Sequence, residues 1–175
     1  MKVFRIAAAS LAVIAATVLI TPALKGQDSA KTTQASLAKE ASTLSDKFAG
    51  LARVMAGKYD WKPGQGVRSA GEVFNLIVAE NGMLKGTLTG ASGGGRPAPI
   101  TDPEKMQEAL KGSYASLQQM IAGLSESDLK ASVKLFGMEM TKEEAIRFLF
   151  ADQHEHLGQS IAYARANGVV PPWSK

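Results

Sequence analysis

Residues 141–168 read TKEEAIRFLFADQHEHLGQSIAYARANG, and the reading of this stretch decides both the fold class and where chemistry could sit. Thr141-Lys142-Glu143-Glu144 is a T-x-x-E capping box, in which the threonine hydroxyl takes an orphan backbone N–H and the glutamate reaches back to the cap. Gly168, followed by Pro171-Pro172, supplies the stop. The span between is a long helix that contains both histidines of the chain. Residues four apart on a helix differ by ~40° in direction and residues two apart by ~160°. Asp152 and His156 therefore share a face one turn apart, whereas His154 points away from His156, and the two imidazoles cannot hold one ion.

The face carrying Asp152 and His156 also carries Ala145, Phe148, Leu149, Gln159 and Tyr163, which places the pair toward the interior. A buried carboxylate or imidazole needs a partner. Asp152 with His156 is thus either half of a metal site or a hydrogen-bonded pair lining an inward pocket. Arg147, His154 and Glu155 are expected to face water.

Working outward, the same periodicity recurs. Leu37, Ala41, Leu44, Phe48, Leu51 and Met55 follow one another at steps of four and three after a polar stretch, 27–34, that reads as a spacer. The helix they define ends near Gly57. KYDWKPGQGVRS (58–69) is a loop by its breakers, from which Trp61 packs. Ser69 caps a second helix carrying Val73, Phe74, Leu76, Ile77 and Leu84 to about Leu88, although Gly82 and Gly86 each cost ~1 kcal/mol relative to Ala. TGASGGGRPAP (89–99) is a flexible linker by composition and lacks the G-K-[ST] of a phosphate loop. Asp102-Pro103 starts a third helix, with Asp as cap and Pro in the first turn, and Met106, Leu110, Leu117, Ile121 and Leu124 on one side with Tyr114 near it. In SESDLKASVKLFGMEM (125–140) the alternation of Val133, Leu135 and Met138 predicts a short extended piece. Four such helices make an all-α, four-helix bundle, whose ends Trp61 and Trp173 are expected to close. No internal repeat is present.

The amino terminus has a different character. MKVFR supplies two positive charges and Ile6–Ile20 is an apolar run, the layout of a secretory signal. Fifteen residues at ~1.5 Å each reach roughly 22 Å, short of the ~30 Å hydrocarbon core. The expectation is a cleaved signal over 1–26, a domain over 27–175 and a secreted or periplasmic location; an uncleaved membrane anchor is the alternative. The whole chain has 20 Lys+Arg against 16 Asp+Glu, but three of the basic residues lie in 1–26, so seventeen face sixteen in the remainder. No basic stripe interleaved with aromatics points to nucleic acid. The chain has no cysteine, which excludes disulfides, thiolate ligands and a cysteine nucleophile. Ser69, Ser160 and Tyr163 carry no nucleophile signature, so no catalytic residue is assigned. The apolar helices could pair as a homodimer, but nothing in their pattern demands it.

KYDWKPGQGVRSAGEVFNLIVAENGML (58–84), together with DQHEHLGQSIAYARANGVVPPWS (152–174), resembles the DinB-like (YfiT-like) superfamily, over residues ~35 to 175. The resemblance implies a four-helix bundle that commonly binds a divalent metal through three histidines, with activities that, where assigned, include thiol-dependent transfer and metal-dependent hydrolysis. Carried over position by position, the family's helix-two histidine falls on Leu76 and its two last-helix ligands on Asp152 and His156. Only His156 keeps the usual residue type; Asp152 is a competent ligand and Leu76 is none. Asn75 points ~100° away from Leu76, and Glu80 would stand ~6 Å along the axis.

The expectation is therefore a degenerate metal site in a pocket lined by Leu76, Gln159 and Tyr163, with no cofactor bound or, at most, a divalent ion such as Zn or Ni. The favoured function is a non-catalytic exported domain binding a small molecule or protein partner. Its alternative is a divalent-metal-dependent hydrolase or thiol-dependent transferase using Asp152, His156 and a non-standard third donor such as Glu80. A membrane-anchored interaction module is a third reading.

Overall fold

The structure, a computed structural model, describes residues 21–91 and 98–174, with side chains from residue 31 onward. Residues 1–20, which hold most of the expected signal, and the glycine-rich run 92–97 lie outside the described residues. In chain order the elements are α1 (Thr21–Val54), α2 (Ala70–Thr89), α3 (Pro103–Gly123), α4 (Glu126–Lys130), β1 (Ser132–Leu135), β2 (Met138–Thr141) and α5 (Lys142–Ala166). The four long helices are those the periodicity predicts.

Their starts follow from local chemistry. Ser69, Asp102 and Thr141 each accept a hydrogen bond from the third backbone N–H of the helix they precede, and at Ser69 and Thr141 a glutamate, Glu72 or Glu144, completes the box. α1 departs from expectation, because the stretch 27–34 is helical rather than a spacer. It holds no Gly or Pro, and Pro22 sits in the first turn, where a missing N–H costs nothing. Between α3 and α5 the extended piece is a two-stranded antiparallel hairpin, Leu135 opposite Met138 and Ser132 opposite Thr141. The short α4 before it starts at a second serine box, Ser125 with Asp128.

α1 packs along α3 and α5, and α2 along α3 and α5, so α1 and α2 stand diagonally. The loop 55–69 makes that diagonal step. Tyr59 is buried in it, its hydroxyl donating to the Ala52 carbonyl at 2.9 Å while its own carbonyl accepts from Gly71 N–H at 2.8 Å. Gly71 must be glycine at this approach, since a Cβ there would stand 2.9 Å from the Cβ of Tyr59. Trp61 packs edge-on against Tyr163 of α5 at 5.2 Å, so the loop ties the start of α2 to the end of α5.

The core runs the length of the bundle, from Leu37, Leu44, Phe48 and Leu51 on α1 to Met106, Leu110, Leu117 and Ile121 on α3, all fully buried. Two expectations are corrected here. Phe148 is 43% exposed rather than inward, because the inward stripe of α5 is centred on Leu149, Gln153, Leu157 and Ser160. Asp152 and His156 flank that stripe on the side of α2. Trp173 is also substantially exposed and lies over the Lys47 ammonium instead of closing the bundle.

Candidate metal centre

The apolar stripe of α2 runs through Val73, Ile77, Leu84 and Leu88, and is interrupted halfway by two buried polar residues, Glu80 and Asn81. Across from it the stripe of α5 is interrupted by Gln153 and Ser160. A polar band thus crosses the core between these two helices.

Glu80, Asp152 and His156 meet in this band, one ligand-capable atom from each lying within 4.8 Å of the others. His156 Nε2 stands 3.7 Å from Asp152 Oδ2 and 4.0 Å from Glu80 Oε1. These separations are too long for hydrogen bonds. Donors sharing one ion at ~2.1 Å are themselves about 3.0–3.5 Å apart, which small side-chain adjustments would reach here. Of the two expectations for α2, this geometry favours the alternative, in which Glu80 is the candidate third donor. The family position carried onto Leu76 puts the site one turn too early on α2; the packing of α2 on α5 sets Glu80 opposite the Asp152–His156 turn. Leu76 instead helps line a neighbouring cavity of about 300 Å³ with Arg68, Asn75 and Ile100. Asn75 is structural: its amide donates to the Ile100 carbonyl and accepts from the Ile100 N–H, at 3.0 and 2.8 Å.

The protonation of His156 follows from a chain of hydrogen bonds that ends on a carbonyl. The Arg68 carbonyl can only accept, so the Tyr163 hydroxyl donates to it at 3.2 Å and must accept from Gln159 Nε2 at 2.9 Å. That orients Gln159 Oε1 toward His156 Nδ1 at 3.0 Å, and Nδ1 carries the proton. In the neutral ring this is the tautomer whose Nε2 lone pair faces Glu80 and Asp152, the one a metal-ligating imidazole requires. Gln159 and Tyr163, predicted as pocket lining, thus orient the imidazole.

Glu80 is 8% exposed, and its Oε2 has no hydrogen-bond partner. Burial, and then the charge of Asp152, push its carboxyl up to about 7, while the Arg68 charge pulls the other way. A buried carboxylate oxygen left unpaired costs several kcal/mol unless a cation or proton meets it. An imidazole nitrogen and two carboxylates, one of them carrying that orphaned oxygen, form a donor set that fits a divalent ion.

Behind the three donors lies a polar chain that the sequence reading missed. The Tyr114 hydroxyl donates to Gln153 Oε1 at 2.8 Å, Gln153 Nε2 to Asn81 Oδ1 at 2.9 Å, Asn81 Nδ2 to Ser113 Oγ at 3.0 Å, and Ser113 to the Leu110 carbonyl. Gln153 is fully buried, and burial raises the Tyr114 phenol. The signal was present: Gln153 stands four residues from both Leu149 and Leu157, at the centre of an apolar stripe. Of the other residues considered, His154 is solvent-facing and pairs with Glu40 of α1 at 3.1 Å, and Arg147 pairs with Glu143 on its own helix.

Fold and site together define a helical bundle with a centre of two carboxylates and one imidazole between its second and last long helices. The sequence profile of the DinB superfamily matches residues 43–160, a span that includes all three donors, and the chain belongs to that superfamily. It is similar in fold to the crystal structure of a DinB-like protein from Bacillus subtilis, with a TM-score of 0.65 and 17% identity over 76% of this chain and 92% of that one. It is likewise similar to a DinB-like protein from Bacillus cereus, with a TM-score of 0.63 and 15% identity over 75% of this chain and 91% of that one. No curated protein matches the chain. Among the described residues no helix is long and apolar enough to cross a membrane.

Proposed function

We propose that this protein is an exported DinB-superfamily domain that holds a divalent ion between Glu80, Asp152 and His156. The observation that carries the reading is Glu80 itself, a buried carboxyl whose Oε2 has no hydrogen-bond partner and whose Oε1 stands 4.0 Å from His156 Nε2, beside Asp152. Without an ion the buried carboxyl is compensated only by a proton; with one it becomes a ligand. This replaces the degenerate centre expected from Leu76. An ion with three protein ligands and open positions would supply Lewis-acid activation of a water or thiol, the chemistry of a hydrolase or transferase.

The chain's own residues set up that chemistry. The Gln159–Tyr163–Arg68 chain holds Nδ1 of His156 as a hydrogen-bond donor and turns Nε2 toward the carboxyl groups, Glu80 supplies a buried carboxyl, and Asp152, its side chain 41% exposed, closes the site on its open side. The apolar run 6–20 supports export. Calorimetric titration with Zn, Ni and Mn tests the ion directly: the wild type binds one of them, and Asp152→Asn and His156→Ala weaken that binding at least about tenfold. Equal affinity in wild type and both variants would overturn the assignment. Mass measurement of the chain recovered from the producing cell tests cleavage near residue 26.

A further inference from the structure

Two exposed aromatic rings stand beside the donor-bearing face of α5. Phe148 lies one turn before Asp152 on the same face of α5, and its ring stands 6.1 Å from that of Phe136, inclined by 56°. Phe148 is 43% exposed and Phe136 60% exposed. Phe136 also occupies the hairpin turn with φ 49°, followed by Gly137 at 83°. This turn, with both residues left-handed, favours Asn-Gly or Gly-Gly, and a bulky side chain there costs on the order of 1 kcal/mol. Neither burial nor backbone preference accounts for an aromatic ring at that position.

Met138, the residue after Gly137 in the same hairpin, is 45% exposed. With side chains of roughly 200 Å² each, the three expose about 300 Å². A stable protein contact needs ~800 Å² per partner, whereas a single aryl group needs no more than this patch offers.

We propose that Phe136 and Phe148 form a specificity shelf for a small ligand with an oxygen-donor head group at the ion and an arylalkyl group lying on the two rings. The oxygen head follows from the donor set, since two carboxylates and an imidazole select ions that favour oxygen and nitrogen partners. The linker follows from the four-residue spacing between Asp152 and Phe148, ~6 Å along the helix axis, which a short run of methylenes bridges. The inference rests on the ion-binding reading above, and the experiment separates the two.

Zinc-loaded protein is titrated with acetohydroxamate and with 3-phenylpropionohydroxamate, in the wild type, Phe136→Asn, Phe148→Ser and the double variant. The phenyl probe binds the wild type roughly tenfold or more tightly than the methyl probe, and the advantage disappears in the double variant while methyl-probe affinity is unchanged. Phe136→Asn also raises Tm, because it relieves the turn while removing the shelf. Equal binding of the two probes to the wild type, or an advantage that survives in the double variant, overturns the shelf and leaves the ion intact. A change of oligomeric state in the variants without a change in the probe ratio assigns the patch to chain–chain contact and also overturns it. Failure of the methyl probe, together with failure to load zinc, instead removes the ion reading and the shelf with it.

Discussion

The two flanks of this bundle are built to different rules. Between α1 and α3 the buried side chains are hydrocarbon apart from Ser45 and the hydroxyl of Tyr114; between α2 and α5 lie Glu80, Asn81, Gln153 and Ser160. The first flank stabilises by area removed from water, at about 25 cal/mol per Å². The second gives up part of that gain to hold polar groups in fixed geometry. A bundle of this size tolerates such a division because one flank can carry the fold while the other carries the site.

The largest effect that sharpens the contrast is expected in the apolar flank. Phe48→Ala removes a fully buried ring that stacks on Tyr114 at 6.5 Å, and should cost about 3–5 kcal/mol in chemical denaturation. Ion affinity measured on the remaining folded protein should stay unchanged. A large loss of affinity would break the division.

Tyr114→Phe probes the seam between the flanks. It keeps the ring but leaves Gln153 Oε1 buried without its donor, at a cost of about 1–3 kcal/mol. Denaturant midpoints, with the slope unchanged, measure it.

Glu80 gives an effect of opposite sign. Its folded carboxyl holds a proton to about pH 7, whereas the unfolded chain releases it in the ordinary glutamate range. Between those values the folded state binds more protons, so this contribution to stability is present at low pH and lost as pH rises through 7. Metal-free Glu80→Gln should therefore gain several degrees in Tm over the wild type at pH 8 and little at pH 4.5. Ion affinity of the wild type should rise over the same window, because the ion displaces that proton. A pH-independent difference between the two proteins would contradict the burial argument.

The smallest effect is expected at the surface: His154→Ala, which loses the exposed contact to Glu40, should change stability by no more than ~0.5 kcal/mol and leave ion binding alone.

What the sequence disclosed divides along the same line. The four long helices were legible because apolar period and capping chemistry are local, as at Ser69, Asp102 and Thr141. The spacing of Asp152 and His156 was equally local. Glu80 was legible only as an alternative third donor, because its nearness to that pair depends on how α2 is set along α5, a relation between residues 72 positions apart or more that no single helix encodes. Gln153 and Asn81 were readable in principle as polar breaks in apolar stripes. The hairpin was half legible: its alternation was clear, but Phe136-Gly137 lacks the residues that usually announce such a turn.

Ion content after exhaustive dialysis, compared between wild type and Glu80→Gln, bears most directly on the claim that the buried carboxylate exists to meet a cation. Near-stoichiometric retention of a divalent ion by the wild type, with almost none in the variant, is the predicted result. A wild type that retains no ion, or a variant that retains as much, would contradict it.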